Sequence, residues 1–190
     1  RDNKPKATKL IDFLLSEKLK ESVLKIRSLQ DKTEINKLKS QLPAITPSGL
    51  FHTKRNIKNL VKHSGLMQVD IDKGDNPNLE MIKAKEILKD VEQVAFCSYS
   101  VSGKGLFALI PIKYPNKHKE HFLALEQDFL DLGIVIDKSC KDVTRLRGYS
   151  YDENAYLNSN VKIYDGIKIP PTLHTLTEEG GYDDVGIYDH

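Results

Sequence analysis

The chain has 190 residues, 39% hydrophobic and 29% charged, with a formal net charge of +2. That length supports one sizeable domain with a small attachment. It holds no apolar run near the ~20 residues of a membrane helix, so no membrane partner is expected. Cys97 and Cys140 have no metal or redox spacing and fit core or near-site positions in a reducing cytoplasm. The chain starts on Arg rather than Met and shows no signal peptide, which leaves room for an upstream part.

The charge is unevenly placed. Residues 1–64 hold 15 Lys/Arg against 6 Asp/Glu, residues 65–150 hold 12 against 13, and residues 151–190 hold 2 against 8. A basic front suits a polyanionic partner, and it equally suits a solvated helical face.

In chain order, residues 8–30 carry Leu10, Ile11, Leu14, Leu15, Leu19, Val23 and Ile26 at helical spacing and predict one amphipathic helix. A second, weaker helix is expected over Lys32–Lys39. Pro43 and Pro47 then break the chain, with a turn at Thr46–Gly49. Residues 53–63 read as a further helix, ended by Ser64-Gly65. It carries Lys54, Arg55, Lys58 and Lys62, of which Lys54 and Arg55 are the candidate nucleic-acid contacts. Leu66–Asp72 reads as a strand, Asn78–Asp90 as a helix, Val94–Ser100 and Leu106–Ile112 as strands, and Asn116–Leu132 as a helix. Ile134–Ile136 is expected as a short strand and Val143–Tyr149 as the next.

This order predicts an α+β fold, an RRM/ferredoxin-like βαββαβ palm. Residues 1–41 form its N-terminal helical extension, 42–168 the palm and 169–190 an acidic tail or linker. In that topology the Leu66–Asp72 strand is central.

Residues two apart on a strand share a face. Asp70 and Asp72 therefore point one way, and Val69 and Ile71 the other. Two close carboxylates are unfavourable without a cation between them, and carboxylate oxygens suit Mg2+ or Mn2+. Alone, the pair is a weak signal, and a strand running into the polar turn Lys73–Asn76 is the plainer reading.

Ser102-Gly103-Lys104-Gly105, between two strands, can bring backbone N–H groups and a lysine to a phosphate. It lacks P-loop spacing, and a plain hairpin turn competes. Asp137 through Arg147 combines Asp137 and Asp142 with Arg145 and Arg147. Arginine forks match phosphate oxygens, and a surface salt-bridge cluster is the competing reading. The predicted topology brings the three segments to one sheet face, as metal-dependent nucleotidyl transfer requires.

The runs Leu42–Phe51, His63–Asp72, Ser102–Ile112 and Asp137–Tyr151 resemble the VirE amino-terminal domain family, related to the archaeo-eukaryotic primase (primase-polymerase) superfamily. The resemblance covers residues 40–165. It implies Mg2+ or Mn2+, nucleoside triphosphates and a DNA template (RNA as the variant), with a helicase domain or protein as partner, in replication or a mobile element. The superfamily's first acidic motif maps onto Asp70 and Asp72, and its third onto Asp142, with Asp137 as the alternative. Asp70, Asp72 and Asp142 are thus the implied catalytic and metal residues. Ser102, Gly103, Lys104, Gly105, Arg145 and Arg147 are the candidate phosphate contacts. Phe107 stands where many members carry a phosphate-contacting histidine. That departure favours the second reading, a catalytically weak or inactive RRM-like nucleic-acid-binding module.

His118 and His121 sit three apart in a predicted helix without a third ligand, and a solvated face is expected for them. His52 and His63 are read as structural. Tyr149, Tyr151 and Tyr156 are read as core residues, with base stacking as the alternative. A rolling-circle nuclease, which needs His-x-His on a strand, is disfavoured because that motif is absent.

Overall fold

A computed structural model describes residues 7–169, together with the backbone of residues 173–176 and 182–185. The described residues form a mixed α+β structure with five α-helices and antiparallel sheets.

Residues 7–28 hold two helices, α1 (Leu10–Leu14) and α2 (Lys20–Ser28), rather than the single one expected over 8–30. The break at 15–19 is held from far away, because the Tyr149 hydroxyl donates to Ser16 O and accepts from Leu19 N. Helix α3 (Lys32–Gln41) follows, with Asp31 as its N-cap accepting from Thr33 N.

Short strands β1 (Ala44–Ile45), β2 (Gly49–Phe51) and β3 (Leu60–His63) come next. The helix expected over 53–63 is absent. A single 3-10 turn at Ile57–Asn59 leads into β3, which pairs antiparallel with β2. Ile57, Leu60 and Val61 imitate helical spacing, but Ile57 and Val61 are exposed and only pairing with β2 organises the segment. Thr53, at φ 63°, turns the intervening loop.

The structural centre runs β4 (Leu66–Asp72), α4 (Met81–Asp90), β5 (Phe96–Tyr99), β6 (Gly105–Pro111) and α5 (His118–Asp131). Each matches an expected element, with α4 starting three residues late and Ile82 turned to solvent. Further on, β7 (Arg147–Gly148) pairs with β1, and β8 (Tyr156–Leu157) joins the main sheet. Strands β9 (Leu173–Leu176) and β10 (Tyr182–Val185) pair antiparallel within the span expected as an acidic tail; its other residues beyond 169 lie outside the described ones.

The main sheet has the order β4-β6-β5-β8. The expected central place of β4 is not found: it is an edge strand. Ile134–Ile136 does not pair as a strand, and of Val143–Tyr149 only two residues do. The 134–137 segment still runs along the free edge of β4, where Asp137 N donates to Asp70 O at 2.8 Å. Asn76, 5% exposed, fastens it by exchanging side-chain bonds with Val135 N and O.

One face of the sheet carries Met67, Val69, Ile71, Cys97, Leu106, Ala108 and Ile110 against Ala84 and Leu88 of α4 and Phe122, Leu125 and Phe129 of α5. Each fully buried aliphatic side chain there contributes about 1.5–3 kcal/mol. The opposite face carries Phe96, Phe107 and Leu109, partly covered by Leu10 and Leu14 of α1. Gln68, Asp70 and Asp72 share that second face by strand alternation.

Candidate functional site

The pairing register sets Asp70 opposite Phe107 and Asp72 opposite Gly105. Glycine is required at 105: a Cβ there would lie 2.7 Å from Ile71 O and 3.0 Å from Asp72 Oδ1. The Ser102–Gly105 turn therefore lies at the Asp72 end of β4, with Lys104 exposed and its carbonyl accepting from Lys73 N. Gly103 takes φ 70°, a turn conformation suited to glycine. The turn is gripped from α2, as Arg27 donates to Ser100 O, Val101 O and Tyr151 O.

Asp70 is 4% exposed, and its charge is compensated by arginines. Arg147 Nη1 donates to Oδ1 at 2.5 Å and Arg145 Nη2 to Oδ2 at 3.3 Å, while Gln68 Nε2 reaches both oxygens at 3.1 Å. The β1–β7 pair sets Arg147, and its guanidinium lies 4.7 Å from the centre of the Phe107 ring. Phe107 thus supports the arginine that holds Asp70.

Arg145 also donates to Asp137 Oδ2 at 2.7 Å, bridging the two carboxylates. Burial works against the Arg145 charge, but the carboxylates of Asp70 and Asp137 outweigh it and raise its pKa. Burial likewise opposes the Asp137 carboxylate, and the Ser139 hydroxyl and amide, with Arg145, still pull its pKa down.

Asp72 is exposed and its pKa is raised, first by desolvation and then by repulsion from Asp70, Asp137 and Asp75. Ligand atoms of Asp70, Asp137 and Cys140 lie within 4.8 Å of one another. Burial and Asp70 push the Cys140 thiol far up. It stays protonated, so the donors there are oxygens.

The third carboxylate in this centre is Asp137. Asp142 is exposed and turns on itself, with Oδ1 and Oδ2 accepting from Thr144 N and Oγ1 at 2.8 Å each. Lys54 and Arg55 lie on an exposed loop, not on a helix. Arg55 donates to Thr144 O at 2.5 Å, which ties that loop to the segment bearing Arg145.

The solvated face expected for His118 and His121 is wrong, since they are 8% and 0% exposed. His121 accepts from Tyr114 N and bonds Gly166 O. His118 Nδ1 lies 2.9 Å from His63 Nε2. Burial and His63 lower the His118 pKa to about 4. Tyr149 is a core residue with its ring edge-on to Phe13, and Tyr156 packs against the main core. Tyr151 is half-buried beneath Lys20.

Gln68, Arg27, Lys85 and Asp152 were not singled out from the sequence. Gln68 was legible by alternation alone, two residues before Asp70. Arg27 gave no signal beyond the amphipathic pattern. The buried pair Lys85–Asp152, at 2.7 Å, lay in segments read only as a helix and a loop.

A family model described as BT4734-like, N-terminal domain, matches residues 37–157. The chain belongs to the BT4734-like N-terminal domain family. The match corrects the assignment to the VirE amino-terminal domain family, because the family model that fits is the BT4734-like one. The BT4734-like span includes β1 to β8 and every residue of the Asp70 centre, and leaves α1 and α2 outside. No curated protein and no solved structure matches the chain. No helix among the described residues is long and apolar enough to cross a membrane.

Proposed function

We propose that this domain is a metal-dependent nucleotidyltransferase of the primase-polymerase kind, taking nucleoside triphosphates and a DNA template. The observation that carries the reading is the group Asp70–Arg145–Asp137, with Arg147 on Asp70 and Asp72 on the same strand face. Carboxylate oxygens are what Mg2+ or Mn2+ takes, and arginines are what phosphate takes. The β4-α4-β5-β6-α5 order, with β6 between β4 and β5, supports an RRM/ferredoxin-like palm in which residues 134–137 stand in for the fourth strand.

The residues present fit a hard cation. Asp72 carries a carboxylate with a raised pKa and no side-chain partner among those described, and Gln68 Oε1 is buried without a donor. Asp70 and Asp137, whose oxygens lie within 4.8 Å of one another, would hold the ion, with Asp72 further along the same strand face as an additional carboxylate; the ion would supply charge neutralisation for an attacking hydroxyl and a leaving pyrophosphate. Arg145, Arg147 and Lys104 orient the phosphates, and Lys54 and Arg55 line the approach of the nucleic-acid backbone.

A second reading, a non-catalytic nucleic-acid-binding module working beside a helicase, is favoured by Asp70 itself, since both its oxygens already have partners. A primer-synthesis assay with Mn2+ and labelled nucleotides, run beside DNA binding by fluorescence anisotropy, separates the two. Nucleotidyl transfer predicts extended product that Asp70→Asn abolishes. DNA binding without product would leave only the second reading.

A further inference from the structure

We infer that Arg145 and Arg147 form a latch that occupies Asp70 in place of a divalent cation, and that the phosphates of a nucleoside triphosphate open it by drawing the arginines away. This rests on the proposed nucleotidyl-transfer reading and specifies how its site loads.

A carboxylate offers about four lone-pair sites, and Asp70 has them taken, by Arg147 and Gln68 on Oδ1 and by Arg145 and Gln68 on Oδ2. Arg147 Nη1 sits 2.5 Å from Oδ1 and Arg145 Nη2 3.3 Å from Oδ2. A divalent ion bound at about 2.1 Å from either oxygen would meet a guanidinium N–H pointing at it and a charge of its own sign. Metal therefore reaches Asp70 only after the arginines have moved.

The latch is also incompletely made. Each guanidinium gives Asp70 one N–H, not the two parallel bonds that a carboxylate or phosphate accepts from an arginine fork. Nε of Arg145 and Nε of Arg147 are buried without a partner, and so is Oε1 of Gln68, a residue 1% exposed. Buried polar groups left unpaired are costly, so the two arginine Nε donors favour a ligand that supplies acceptors, while the Gln68 oxygen favours a cation or a donor. The Arg145 side chain is 37% exposed and bonds Asp137 more closely than Asp70, so it has room to swing. The Ser102–Gly105 turn, at the Asp72 end of the same strand, offers those phosphates a landing place beside Lys104.

Metal and triphosphate then assist each other, because a coupling between two ligands is reciprocal. With Mn2+ alone, binding to the native chain is weak. Inorganic triphosphate alone also binds weakly, since the arginines are held by Asp70.

Two substitutions read the latch from opposite sides, by calorimetric titration on the full chain. Asp70→Asn releases Arg147 and leaves Arg145 only its bond to Asp137, so inorganic triphosphate without metal binds about tenfold tighter or more, although a metal ligand has been lost. Asp75→Asn removes an equal, exposed charge nearby and changes that affinity less than about threefold. Conversely, Arg147→Gln lets Mn2+ alone bind about tenfold tighter, while Lys138→Gln, an exposed charge beside Asp137, changes it less than about threefold. If Arg147→Gln fails to fold, the Asp70→Asn arm still decides the matter.

Asp70→Asn binding triphosphate no better than Asp75→Asn, or native protein binding Mn2+ as tightly without triphosphate as with it, overturns the latch and leaves the nucleotidyl-transfer reading standing. Native protein that binds no Mn2+ even with triphosphate present overturns the nucleotidyl-transfer reading itself.

Discussion

Two buried ion pairs invite comparison. Lys85 and Asp152 are closed on every side. Lys85 Nζ donates to Asp152 Oδ2 and Asn154 O and lies 4.8 Å from the centre of the Tyr99 ring, while Asp152 also accepts from Tyr99 N and Asn154 N. The Asp70 centre has similar chemistry but is left open. Its arginines and Gln68 keep buried atoms without partners, and Asp72 adds a repelled carboxylate. A fully satisfied buried pair fastens elements together, here α4 to the loop before β8. A partly satisfied one keeps capacity for a ligand, and that difference separates scaffold from site.

The largest expected effect is at the closed pair. Lys85→Met strands a buried carboxylate and should cost about 3–5 kcal/mol in urea denaturation, with no change in Mn2+ or triphosphate binding by the folded fraction. An altered ligand affinity there would break the comparison. Next comes acid. Neutral His118 is buried, with its folded pKa lowered to about 4, against about 6.5 in an unfolded chain. The stability it contributes is fully present above about pH 6.5 and is lost as pH falls toward 4, up to about 3 kcal/mol. Denaturation midpoints across that window should flatten in His118→Gln. An unchanged slope would place the acid sensitivity elsewhere.

Asp70→Asn keeps hydrogen-bonding capacity and leaves the arginines with Asp137 and solvent. It should cost less than Lys85→Met, about 1.5–3 kcal/mol, while abolishing any metal-dependent product. Equal costs at the two sites would mean that the Asp70 centre is scaffold too. The smallest effect is at Asp72. Its folded pKa is raised, so the stability that goes with its protonated form is present at low pH and lost as pH rises through that value. Asp72→Asn should therefore stabilise the metal-free protein slightly at neutral pH, within about 0.5 kcal/mol, and weaken Mn2+ binding. Destabilisation in thermal melts would contradict the repulsion at that strand end.

The sequence made β4, α4, β6 and α5 legible because each runs seven residues or more and displays its period, and β5, only four residues long, because the apolar run from Val94 to Cys97 stops at the Ser100–Gly105 turn. The misreadings share a cause. Residues 57–61 have helix-like spacing, but β3 is four residues long and exists by pairing with β2. The interruption between α1 and α2 depends on Tyr149, more than a hundred residues away. For the site, alternation along β4 put Asp70 and Asp72 on one face. What neutralises Asp70 was beyond local pattern, since Arg145 and Arg147 arrive through the β1–β7 pairing and Asp137 through one bond to the β4 edge. Asp142 looked better placed than Asp137 in the sequence; its turn with Thr144 is what removes it.

The most direct test of the account is a crystal of the native chain soaked with Mn2+ and a non-hydrolysable nucleoside triphosphate, with anomalous scattering locating the metal. The account predicts a manganese ion bound by an Asp70 oxygen with Asp72 or Asp137 beside it, and Arg145 and Arg147 turned from Asp70 onto the phosphates. A metal bound away from Asp70, or arginines still on Asp70 with nucleotide present, would contradict it.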